Sequence, residues 1–90
     1  MARLAPVAAR FTAYLQLRSV DPARDRDRSY TITWCPALFE GGALVRTWGR
    51  TGSAEHTRSN HYPNRTAAQA HIEEILRIRL RHGYRVVAWQ

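Results

Sequence analysis

The chain has no lysine, a single cysteine and only seven carboxylates among its 90 residues. The lone Cys35 rules out an intramolecular disulfide, which points to a reducing compartment and makes the cytoplasm the expected location. Without lysine, the Gly-Arg-Thr-Gly run at 49–52 is no phosphate-binding loop, because that motif needs a Lys leading into a helix. Apolar runs stop far short of the ~20 residues that a membrane-spanning helix requires. A chain this short also leaves too little interior for a deep, enclosed substrate cleft. One domain over residues 1–90 is expected, with its core at about 17–85.

The scarcity of acids weakens every catalytic reading. Glu73 and Glu74 are adjacent on a helical segment, hence about 100° apart, and cannot serve one substrate as acid and base. His56 and His61 fall on opposite faces of a strand. His71 and His82 lie about 16 Å apart along a helix, too far to share a metal. Cys35, followed by Pro36, has no cation beside it to activate the thiol, which reads as inert and structural. The sequence therefore implies no enzyme, no cofactor and no metal.

What the chain has in abundance is arginine. Fourteen of them give a net charge of +7, a density that suggests a polyanionic partner, nucleic acid before membrane. Planar guanidinium forks grip phosphate and stack on bases, which an ammonium cannot do. A GC-rich coding sequence would account for the missing lysine but not for the net charge. Hydrophobic residues at 44%, with three Trp, four Tyr and two Phe, argue for a folded domain rather than a disordered basic tail.

Periodicity supplies the elements. Over residues 11–17, Phe11, Ala13, Leu15 and Leu17 alternate with polar side chains, the pattern of a half-buried strand. That reading displaces the faint transit-peptide character of Met1 to Leu17, with its Arg3, Arg10 and lack of acid. Asp21-Pro22 opens a turn, and the charges of Arg24 to Arg28 alternate in sign, as in a solvated, self-compensating loop. Residues 29–34 place Tyr30, Ile32 and Trp34 on one face of a second strand. Pro36 ends it, and Gly41-Gly42 brings residues 43–48 back antiparallel. Leu38 and Phe39, at the tip, are expected to fold back into the core.

Residues 55–62 are polar on both faces, which predicts an edge strand with weakly set register and leaves sheet extension between chains open. Thr66 with Gln69 forms a capping box for a helix over 67–82, whose apolar stripe is Ala68, Ile72, Ile75 and Leu76. Arg79 falls on that stripe, so its stem should line the core edge while the guanidinium reaches out. Gly83 suits the helix C-terminus, and residues 84–89 suit a short last strand. The fold class that follows is α+β: a twisted antiparallel sheet of four to five strands with one α-helix packed on one face.

Residues 43–53 carry a strand ending in Trp48-Gly49-Arg50, followed by x-Gly. Around it stand Asp-Pro-Ala-Arg-Asp from Asp21, Arg-Ser-Tyr from Arg28, Leu-Phe-Glu-Gly from Leu38, and a helix closing in Arg-x-Arg-His-Gly-Tyr at Tyr84. In this order the motifs resemble the WGR domain, which occurs inside DNA-dependent poly(ADP-ribose) polymerases and as short free-standing bacterial proteins. They look most like the bacterial form, over roughly residues 17–85. The resemblance implies a non-catalytic domain that helps grip DNA, its Trp packing against a terminal sugar and its Arg serving phosphate or interdomain contacts. By position those roles fall on Trp48 and Arg50. The residue before Arg-Ser-Tyr, an uncharged polar DNA contact in the polymerase domains, is Asp27 here, and a carboxylate repels phosphate.

The residues themselves point the same way. Trp48 ends a strand beside glycines, open to a flat partner. Arg46 and Arg50 flank it, and Arg58 is expected across the hairpin on the next strand. At the helix end, Arg79, Arg81 and Tyr84 belong to a cluster free of acids that either compensates the helix dipole or contacts phosphate. The expected nucleic-acid-binding set is therefore Trp48, Arg50, Arg46, Arg58, Arg79, Arg81 and Tyr84, with DNA favoured over RNA. Two alternatives stand beside it. Trp48 is a core residue and Arg50 braces the turn, or the same Trp and Arg surface anchors a protein partner.

Overall fold

The computed structural model describes residues 13–90, so the expectations for Phe11, Thr12 and the stretch containing Arg3 and Arg10 lie outside it. Five strands form one antiparallel sheet: β1 Tyr14–Asp21, β2 Arg26–Pro36, β3 Gly42–Arg50, β4 His56–Tyr62 and β5 Arg85–Trp89, in spatial order β4-β3-β2-β1-β5. A short 3-10 turn, Pro22–Arg24, joins β1 to β2. Helix α1, Arg65–Arg81, leaves β4 at one edge and delivers the chain to β5 at the other. Its length suits that crossing: four inter-strand steps span ~19 Å, and its 17 residues reach ~25 Å. The α+β expectation of four to five strands and one helix holds, with five strands.

Alternation decides which side of the sheet α1 covers. Leu15 and Leu17 of β1, Tyr30 and Ile32 of β2 and Leu44 of β3 lie on one face and are buried under Ala68, Ile72, Ile75 and Leu76, the stripe that the helical period predicts. Trp34, Trp48, Tyr62 and Val86 close the rim of this core. The opposite face carries Gln16, Arg18, Thr31 and Thr47, none of them buried, as an antiparallel sheet with one wet face requires.

The termini of α1 follow from local chemistry. Asn64, held extended after Pro63, accepts a hydrogen bond from the Ala67 N–H at 2.7 Å and is the N-cap. The expected box at Thr66 and Gln69 is displaced by two residues, and Gln69 instead bonds Arg65 and Glu73 one turn either way. At the other end the Tyr84 N–H donates to Arg79 O and the Gly83 N–H to Leu80 O, with Gly83 at φ +87. This pair of bonds reverses the chain into β5.

Two further expectations change. The charged run does not form a loop throughout, because Arg26, Asp27 and Arg28 extend β2, and period-two alternation sends the arginines to one face and Asp27 to the other. Leu38 and Phe39 do not plug the core. They are 89% and 94% exposed, because Trp34 and Tyr62 already fill that end and the Ala37 N–H to Gly41 O bond of 2.9 Å closes the tip beyond it. Cys35 is exposed on the uncovered face.

Two outcomes follow for stability. Leu44→Ala, at a fully buried position, should cost about 2–5 kcal/mol, whereas Leu38→Ser and Phe39→Ser should each stay within about 0.5 kcal/mol, as read by urea denaturation. Burial, and then the charge of Arg46, lower the His71 pKa below 6.5, with Glu74 opposing. Neutral His71 pairs with the Tyr62 hydroxyl and ties α1 to β4. That contribution is complete above pH 6.5 and is lost as pH falls through the lowered value. His71→Gln should therefore flatten the dependence of the thermal midpoint on pH between about 7 and about 5.

Candidate functional site

The register of the three strands nearest β4 builds the site. β2 and β3 set Arg28 opposite Arg50, Tyr30 opposite Trp48 and Ile32 opposite Arg46, and β4 sets His56 opposite Trp48. Opposed residues share a face, so Tyr30, Trp48 and His56 form a row of rings across three strands. The centroid separations are 5.9 Å between Tyr30 and Trp48 and 5.7 Å between Trp48 and His56, with planes 21° and 26° apart. Trp48 is half-buried against the core, between the two alternatives that its sequence leaves open.

The end of α1 meets this row from above. The Arg79 guanidinium lies 4.8 Å from the Tyr30 ring centroid and 5.9 Å from that of Tyr84, while Tyr84 meets Tyr30 edge-on at 6.3 Å. Cation and ring attraction thus fixes the Arg79 head over the sheet. Its Nε is buried without a hydrogen-bond partner.

Between helix end and strand ends opens a cleft of about 440 Å³, lined by Arg28, Trp48, Gly49, Arg50, His56, Arg79 and Tyr84. A smaller hollow of about 160 Å³ shares Arg28, Arg79 and Tyr84 with it and adds Ser19, Arg26 and His82. Four arginines and two histidines line the two spaces, and no carboxylate does. Gly49 lets the segment after β3 pack closely: its φ is +156, and a Cβ there would stand 3.3 Å from Ala54 O and 3.4 Å from Glu55 Cα. Just past it, the Thr51 N–H donates to Asp27 O and the Ser53 N–H to Arg50 O, closing the turn.

Arg50 has an anion already. It donates to the Asp25 carbonyl at 2.9 Å and to Asp25 Oδ1 at 3.0 Å, bridging the β3 end to a residue in the left-handed region. Asp27, the carboxylate that threatened phosphate binding, points the other way. It accepts from Arg18 at 2.7 Å and from the Thr51 hydroxyl at 2.9 Å on the uncovered face. A cleft of about 460 Å³ on that face is lined by Gln16, Arg18, Ser29, Thr31, Thr47, Thr51, Gly52 and Glu55. Its one arginine is held by Asp27 and a carboxylate stands in its wall, so it lacks the positive field of the smaller cleft at the helix end.

Of the seven expected site residues, Trp48, Arg50, Arg79 and Tyr84 come together. Arg46 lies beside them, in a separate hollow with His71 and Glu74, donating to the Tyr30 hydroxyl at 3.4 Å and to Asn60 at 3.2 Å. Arg58 pairs with Arg46 in register on β4, as expected, and Arg81 is exposed near the helix end, but neither lines the cleft. His82, a member of the acid-free cluster at the helix end, lines the smaller hollow, while Arg26, Arg28 and His56 join the site although the sequence gives them no binding role. Extending the Trp34–Leu44 pairing down the hairpin would have placed Arg28 opposite Arg50.

Among the described residues no three His, Cys, Asp or Glu side chains gather as a metal site, and no helix is long and apolar enough to cross a membrane. An open antiparallel sheet, backed by one helix and ending in a cationic, ring-lined cleft at a Trp-Gly-Arg turn, defines the class of domain. The sequence profile of the WGR domain matches residues 13–88, and the chain belongs to that family. It is 31% identical over 71 residues to an uncharacterized protein of Sinorhizobium fredii, y4dW, a match covering 79% of this chain and 35% of that protein. The chain thus spans about a third of its relative's length. No solved structure matches it.

The Arg18 and Thr51 hydrogen bonds lower the Asp27 pKa from 3.8, outweighing partial desolvation. The stabilisation is present above pH 3.8 and lost as pH falls through the lowered value. Asp27→Asn should remove that part of the acid sensitivity, seen as a shallower fall of the thermal midpoint between about pH 5 and about pH 3.

Proposed function

We propose that this domain is a non-catalytic nucleic-acid-binding module, with DNA preferred to RNA and little dependence on base sequence. The observation that carries the reading is the cleft at the Trp-Gly-Arg turn, where arginines from β2, β3 and α1 converge with aromatic rings and no carboxylate. Guanidinium groups of Arg28, Arg50 and Arg79 serve phosphate oxygens, the edge of Trp48 meets sugar, buried Tyr84 backs Arg79, and Arg46, Arg58 and Arg81 add longer-range attraction. Backbone contacts position a polymer without reading its sequence. The preference for DNA rests on the family resemblance. The single cysteine keeps the reducing cytoplasm as the proposed location.

A protein partner is the second reading. Leu38 and Phe39, adjacent and almost wholly exposed, favour it, because side chains of this kind anchor interfaces when a partner covers them.

Salt dependence separates the two. If about four phosphates are engaged, log affinity for a short duplex should fall with log salt with a slope near −3.6, and Arg28→Gln or Arg50→Gln should each weaken binding and reduce the slope by about 0.9. Fluorescence anisotropy across a salt series measures both. No binding by the wild type at low salt overturns the nucleic-acid reading, and competition with single-stranded RNA tests the preference for DNA.

A further inference from the structure

The row Tyr30, Trp48, His56 has two ends and one middle. Trp48 is the middle: near-parallel rings stand against it on both sides, so its edge, rather than a face, looks into the cleft. The Tyr30 end is closed, since that ring is 2% exposed and lies beneath Arg79 and against Tyr84. The His56 end is open. Among the described residues no strand lies beyond β4, His56 is exposed, and the one ring it stacks on is Trp48.

Resting on the nucleic-acid reading above, we propose that His56 is the stacking surface of this site and that it receives the exposed face of an unpaired nucleobase. Trp48 holds the imidazole upright as a positioning residue. The chemistry is selective: a base inside a duplex is covered on both faces by its neighbours, whereas an unpaired base presents a bare π surface. Arg28 and Arg50, lining the same cleft as His56, stand ready for the phosphates on either side of such a base.

The test is binding to a duplex with a short single-stranded tail, and to the same duplex with an abasic tail, followed by fluorescence anisotropy at low salt. His56→Ala should weaken binding to the normal tail roughly tenfold and leave the salt slope unchanged, because no phosphate contact is lost. His56→Phe, a ring without a charge, should restore it, which also separates stacking from any loss of fold. On the abasic tail, wild type and His56→Ala should bind alike. The proposal is overturned if His56→Ala stays within about twofold of wild type on the normal tail, or if His56→Phe is as weak as His56→Ala. Should Arg50→Gln still lose affinity in those cases, the nucleic-acid reading stands without it. Absence of wild-type binding at low salt overturns both.

Discussion

The register between β2 and β3 is the constraint on which the rest of the domain depends. From Pro36 opposite Gly42 to Arg28 opposite Arg50, each pair assigns two side chains to the helix side or to the wet side. A slip of one residue would turn Tyr30 and Ile32 out of the core and place Asp27 where Arg28 now lines the cleft. The hydrophobic cost of that slip therefore also protects the charge pattern of the site. Core and cleft are specified by one alignment, and the arginines need no fixing of their own beyond the burial of their neighbours.

The same alternation sorts charge. Arg26, Asp27 and Arg28 sum to a single positive charge along the chain, yet the strand pleat separates neighbours by about 180° per residue. The cleft side gains two cations, and the wet side gains an acid that Arg18 neutralises. Four arginines thereby face the two spaces at the helix end, where no carboxylate lines the wall. That localisation gives the family's Trp-Gly-Arg turn a basic frame, and the frame lies on a different surface from the exposed tip of the β2–β3 hairpin.

Local periodicity revealed most of the fold. The stripe of α1, the alternation of β1 and β2 and the turn at Gly41-Gly42 are each written within a few residues, and they are found where expected. The discrepancies have physical causes. Asn64 and Thr66 are both good caps, and only the geometry after Pro63 chooses between them. Hydrophobicity alone places Leu38 and Phe39 in the core, but buried positions are mostly apolar without every apolar side chain being buried. Arg28 and His56 escaped notice because their place in the site comes from pairing across strands, a non-local fact that a linear reading registers only once the hairpin is extended residue by residue.

The bridge from Arg50 to Asp25 leaves the arginine of the Trp-Gly-Arg turn paired from outside the cleft wall. The carboxylate stands in for an external anion on the one arginine of the Trp-Gly-Arg turn, and with 90% of the Asp25 side chain exposed the pairing is weak. On the proposed nucleic-acid reading, a phosphate meets a placeholder there rather than a bare guanidinium. Because that tether is weak, the guanidinium is held in one orientation at the end of β3 without being locked there.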